Sequence, residues 1–123
     1  MGRVVAKIKL TNLFDLAELR RKKSKRKPRT VEVEALVDTC ATRLYLKPSV
    51  IKNLALDKVD DVLSQTTNGT RKRPVYEAVR LELIGRHGDF NVVGVDEHVP
   101  NLLGQIPLAY LDFVVDPKGQ KLI

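Results

Sequence analysis

A single cysteine, no tryptophan and only 5% aromatic residues mark this chain of 123 residues. One cysteine, Cys40, cannot close an intramolecular disulfide, so the class of small disulfide-stapled secreted domains is excluded and a reducing, cytoplasmic setting is expected. No apolar run approaches the roughly 20 residues that a membrane-spanning helix needs, and no signal-peptide pattern opens the chain. The two histidines, His87 and His98, have no cysteine or second histidine at ligand spacing, so no metal site and no cofactor are expected, and both are placed in loops. The length fits one domain over residues 1–123, large enough for a core but too small for a two-lobed enzyme.

An excess of positive charge is also missing from most of the chain, despite a net charge of +7. Arg20, Arg21, Lys22, Lys23, Lys25, Arg26, Lys27 and Arg29 fall within ten positions; without those eight, 14 basic residues face 15 acidic ones. The basic character therefore belongs to the segment 20–29. Such a run can contact the phosphates of a nucleic acid. No aromatic is interleaved for base stacking, so a solvated, extended connection is the simpler expectation.

Apolar residues are plentiful, at 43%, and their spacing is informative. Val4, Ala6, Ile8 and Leu10 recur at every second position, as do Val31, Val33, Ala35 and Val37, which predicts half-buried strands. A short helix can form over Asn12–Leu19, cut off by the basic run. Pro48 suits the first position of a short helix ending near Leu54, with Val50, Ile51 and Leu54 inward. Strands over Val59–Gln65 and Thr70–Leu83 flank Thr66-Thr67-Asn68-Gly69, where Asn-Gly signals a tight turn. Gly85-Arg86-His87-Gly88 reads as another turn before a strand over Phe90–Val95. Leu102-Leu103 reads as a short strand, Gly104 as a point of close backbone approach, and Ile106–Leu111 as a short helix. Asp116-Pro117-Lys118-Gly119 predicts a terminal hairpin. The sum is a mostly β, mostly antiparallel fold: a small closed or half-closed barrel with two short helices.

The string Ala35-Leu36-Val37-Asp38-Thr39-Cys40-Ala41-Thr42 places an aspartate at the end of an apolar strand, followed by a hydroxyl and small residues at a turn. It resembles the Asp-Thr-Gly-Ala signature of retropepsin-like aspartic peptidases of the bacterial single-domain type, with Cys40 where that family has glycine. Leu102-Leu103-Gly104 resembles the apolar-apolar-Gly element that the family carries before its last helix. The resemblance implies an acid-protease barrel with a mobile hairpin, the flap, over about residues 63–76. It assigns catalysis to Asp38, a hydrogen bond across a twofold axis to Thr39, and substrate contacts to Cys40, Ala41, Thr42, Asn68 and Gly69. Leu102, Leu103 and Gly104 would lie beneath the active loop.

One aspartate cannot perform this chemistry. Two carboxylates must share a proton, one acting as base on a water and the other donating to the scissile carbonyl. The resemblance therefore implies a homodimer that supplies Asp38 twice and takes an extended polypeptide by strand addition. Two alternatives stay open. Cys40 narrows the place where the family's glycine admits the substrate, which points to a weak or inactive peptide-binding module. The basic segment points to a nucleic-acid-associated protein.

Overall fold

Val4, Ala6, Ile8 and Leu10 are all buried in the computed structural model, while Val5, Lys7 and Lys9 between them face outward. The structure describes residues 4–22, 25–66, 69–116 and 121–123. Its elements run β1 (Val4–Asn12), α1 (Leu13–Arg20), β2 (Thr30–Val37), β3 (Leu44–Leu46), α2 (Pro48–Asn53), β4 (Lys58–Thr66) and β5 (Gly69–Leu83). There follow β6 (Arg86–Gly94), β7 (Leu102–Leu103), α3 (Gln105–Tyr110), β8 (Val115–Asp116) and β9 (Lys121–Leu122).

Strand β1 lies antiparallel to β2, with Val4 opposite Val37 and Thr11 opposite Thr30. From β2 the sheet continues through β7, β3, β6 and β5, and β5 returns to β1 with Leu81 opposite Leu10. Six strands thus close a ring, and β4 is attached to its outside through β5. This is the half-closed barrel expected from the alternation. The pairing is mostly antiparallel, but β2–β7 and β3–β6 are parallel. Inside the ring Ile8, Leu10, Leu44, Leu46, Val79, Leu81, Val92 and Leu103 are essentially inaccessible to solvent. Helix α2 adds Val50 and Ile51, followed by Leu54, and α3 adds Leu108. Burial of this order, near 25 cal/mol per Å² of apolar surface, dominates the stability of a chain this size.

Three helices are present among the described residues rather than two. Helix α1 forms because Asn12 caps it: its Oδ1 accepts the Asp15 N–H at 3.1 Å, while its Nδ2 donates to Leu54 O at 2.7 Å. The expected turn at 85–88 is shorter than predicted. Ile84 and Gly85 take positive φ (47° and 77°) and make the reversal alone, so Arg86, His87 and Gly88 already belong to β6. His87 is therefore a strand residue, whereas His98 lies in a loop as expected. The terminal hairpin is confined to β8 and β9; Pro117, Lys118 and Gly119 lie outside the described residues.

The described basic residues of segment 20–29 are all exposed, as in a solvated connection, but the segment is anchored at its end. Lys23 lies outside the described residues, but Arg29 is firmly engaged. Its backbone N–H, Nε and Nη2 all donate to the buried Asp15 carboxylate, at 3.0, 2.7 and 2.8 Å. These bonds, with the nearby charge of Arg26, hold Asp15 down to a pKa of about 2, against the burial that would raise it. The folded pKa lies below the unfolded value of 3.8, so the pair stabilises the fold fully above about pH 4 and less as pH falls toward 2. Asp15→Asn should cost about 1–2 kcal/mol at pH 7, discounted because the Arg29 side chain is partly solvated. Urea unfolding at pH 7 and pH 2.5 checks this: the gap between the parent chain and the variant should narrow at the lower pH. An equal gap at both would remove the ion pair as its cause.

Candidate active site

The chain leaves the barrel at the end of β2 and turns at once. Asp38 N–H donates to Leu103 O at 3.1 Å, and Ala41 N–H donates back to Asp38 O at 3.1 Å, closing a four-residue turn. Within it, Cys40 N–H donates to Asp38 Oδ1 at 3.0 Å, which fixes the carboxylate in a local Asx-type turn. Asp38 is half-buried and Thr39 and Cys40 are exposed, so the carboxylate sits at the surface of a rigid loop. No cation lies within ion-pairing distance of it among the described residues.

Beneath the loop runs the segment from β7 into α3. Gly104 N–H donates to Arg43 O (2.9 Å), Gln105 N–H to Ala41 O (2.8 Å) and Ile106 N–H to Thr42 O (2.9 Å). These bonds join residues 38–43 to 103–106 along their length. The close approach requires Gly104: a Cβ there would stand 2.5 Å from Arg43 O and 2.8 Å from Ala41 O. Asn101, buried just before β7, completes the frame. Its carbonyl accepts Leu36 N–H, its Oδ1 accepts Lys47 N–H, and its Nδ2 donates to Glu34 O. Sequence reasoning missed Asn101, because nothing local distinguishes it from a loop asparagine.

Of the residues singled out in the sequence, Asp38, Thr39, Cys40, Ala41 and Thr42 form one continuous loop. Thr42 does not reach the carboxylate through any bond described; its Oγ1 lies 3.3 Å from Tyr45 Oη. Cys40 keeps an ordinary negative φ, so the backbone at that position makes no demand for glycine. The hairpin of β4 and β5 forms where expected, with Thr66 opposite Gly69, whose φ is 109°, so that Gly69 opens β5. Gly69 is exposed, and Asn68 lies outside the described residues. The descending arm of this hairpin is tied down: Arg71 holds Asp96 through two bonds of 3.0 and 3.2 Å, and this guanidinium keeps the Asp96 carboxyl below its ordinary pKa.

Between loop and hairpin lies a groove of about 190 Å³, lined by Thr42, Arg43, Tyr45, Val62, Leu63, Ser64 and Val93. On the other flank of the loop a second hollow is bounded by Thr39, Gln105, Leu108, Phe113, Val114 and Val115. Among the described residues no three His, Cys, Asp or Glu side chains converge on a point where a metal could sit. No helix among them is long and apolar enough to cross a membrane.

The Asp38 carboxylate thus stands on a turn seated on the Leu103-Gly104 crossing, and Val62, Leu63 and Ser64 of the hairpin border the same groove as Thr42 and Arg43. No curated protein matches the chain. The family described as "Aspartyl protease" matches residues 29–105, which take in β2, the Asp38 loop, the hairpin and Gly104. The chain belongs to the aspartyl protease family.

Proposed function

We propose that the chain is a homodimeric aspartic endopeptidase that cuts extended polypeptide with a water activated between two Asp38 carboxylates, one from each subunit. The observation that carries this reading is the single Asp38, held at the surface by Cys40 N–H with no cation paired to it among the described residues. Such a carboxylate is available to share a proton with a second one. The ionised Asp38 takes a proton from water as its oxygen attacks the scissile carbonyl carbon. The protonated Asp38 gives its proton to the carbonyl oxygen. The tetrahedral intermediate then collapses: the C–N bond breaks, the nitrogen takes a proton, and a carboxyl and an amine leave. Thr39 at the subunit boundary would tie the two loops together, and the hairpin bearing Gly69 would pair with the substrate backbone.

Dimerisation is supported by apolar side chains around Thr39. Val114 borders the hollow that Thr39 lines and is 61% exposed; Ile123, paired to it through backbone bonds of 2.8 and 2.9 Å, is 60% exposed. Exposed apolar residues in continuity are a common sign of a contact surface. Sedimentation equilibrium at tens of micromolar should give a dimer, and that dimer should cleave an unfolded protein substrate. A strict monomer that cleaves nothing overturns the proposal. Cys40 favours a second reading, a dimer that binds peptide without turnover, because its side chain is exposed beside the carboxylate. The same assay on Cys40→Gly separates the two: activity gained only in the variant identifies the second.

A further inference from the structure

Among the described residues, the groove between the active loop and the hairpin is lined by one charged group, Arg43, and by no carboxylate. Its walls are otherwise Val62, Leu63 and Val93, with the hydroxyls of Thr42, Tyr45 and Ser64. Strand β3 explains the placement. Leu44 and Leu46 point into the core, so Arg43 and Tyr45 project from the opposite face, where β4 passes over them. Arg43 is held there by its backbone, which bonds to Gly104 directly under the Asp38 loop.

Most other arginines of the ring and hairpin have assigned acids. Arg71 and Arg73 lie against Asp96, Arg80 against Asp89, and Arg29 against Asp15. Arg43 has no ion pair and no side-chain hydrogen bond among the described residues, although it is half-buried. Asp89, which shares a neighbouring hollow with Arg43, already holds the Arg80 guanidinium at 2.9 and 3.2 Å. Beside Arg43, Thr42 and Tyr45 share one hydrogen bond between two hydroxyls, which leaves a second hydroxyl hydrogen to donate. A half-buried guanidinium with no partner among the described residues, beside a spare hydroxyl donor in a mainly polar groove edged by Val62, Leu63 and Val93, matches a carboxylate on a short aliphatic stem.

The geometry points to Arg43 as the specificity-determining residue of this cleft, selecting extended peptides that carry a glutamate or aspartate close to the bond facing Asp38. This rests on the proposed peptidase reading for the word substrate, but the selection itself is a binding property. Its test therefore uses the intact Asp38→Asn chain, which binds without cutting. The probes are fluorescein-labelled octapeptides of apolar sequence, each with one glutamate at successive positions, matched against the same peptides with glutamine. At one position glutamate should bind about tenfold or more tighter than glutamine, as a charge-assisted bond to a shielded guanidinium implies. In Arg43→Met that preference should vanish, and in Arg43→Glu it should invert toward lysine. Arg43→Lys should keep a reduced preference, which covers the case in which the other variants fold poorly.

No glutamate preference at any position, or no binding of any peptide, overturns the assignment. So does a preference that survives in Arg43→Met. Turnover is read separately on the chain with Asp38 intact. A glutamate preference without cleavage would leave this inference standing and remove the peptidase proposal; cleavage without the preference would do the reverse.

Discussion

Asp38→Asn is expected to abolish peptide-bond hydrolysis, by at least about 10⁴-fold, while leaving the fold intact. Each acid–base role at such a centre contributes on the order of 10² to 10⁴, and in a twofold dimer one substitution removes both. The fold should survive because the bond that positions the side chain is one an amide can keep. Cys40 N–H donates to Asp38 Oδ1, and the Asn carbonyl oxygen can accept it in the same place. Nor is an opposite charge stranded, since no cation pairs with Asp38 among the described residues. Where two carboxylates approach across the dimer, removing their repulsion should hold the variant dimer at least as well near neutral pH. Melting curves and turnover of an unfolded substrate, measured side by side, decide it. Residual activity within tenfold of the parent would place the chemistry at another site. A large drop in melting temperature would mean that the charge, and not only the bond to Cys40, shapes the loop.

How much of this was legible in the sequence depends on how local each cause is. The alternation in β1 and β2 was legible because burial on one face of a strand repeats every second residue, and Val31, Val33, Ala35 and Val37 all fall within β2. Pro48 at the start of α2, and a reversal between β4 and β5 next to Gly69, were legible because φ restrictions act within one or two residues. The reversal at Ile84-Gly85 was misread for the converse reason. Gly88 looks like part of the turn, yet it is glycine because the Tyr110 and Phe90 rings pack on it, with Tyr110 Cε1 2.7 Å from where a Cβ would stand. That contact joins β6 to α3 and leaves no trace in the neighbouring residues.

Arg29 was hidden differently. It stands at the end of a run of like charges, and only its partner Asp15, on α1, sets it apart. The closing pair β1–β5 and the bridging Asn101 are likewise long-range facts. At the site, the loop from Asp38 to Thr42 was legible as a contiguous motif. Arg43 follows that motif directly and was passed over, because its importance depends on β4 crossing above it.

Gly104→Ala is expected to be the most damaging small substitution in the chain. The added methyl carbon would stand 2.5 Å from Arg43 O, 2.7 Å from Arg43 N and 2.8 Å from Ala41 O. All three are backbone atoms, so no side chain can rotate aside and the two segments must part. Parting them loosens the bonds from Gly104, Gln105 and Ile106 to residues 41–43, and with them the Asp38 N–H bond to Leu103 O. Overpacking of this kind, with several backbone bonds lengthened, costs about 2–4 kcal/mol. For a domain of this size that is a fall in melting temperature of about 10 °C, against a total stability of only about 5–15 kcal/mol. Activity should fall further than stability, because the displaced backbone carries Asp38.

The control is Gly85→Ala, where φ is 77° but nothing lies within 4 Å of the new carbon. There only the left-handed backbone is strained, and the cost should stay near 1 kcal/mol. Thermal and urea unfolding of both variants separate crowding from conformational strain. If Gly104→Ala melts no lower than Gly85→Ala, the active loop is not seated on β7 as closely as the crossing at Gly104 requires. The rigidity invoked for Asp38 would then have to come from the dimer instead.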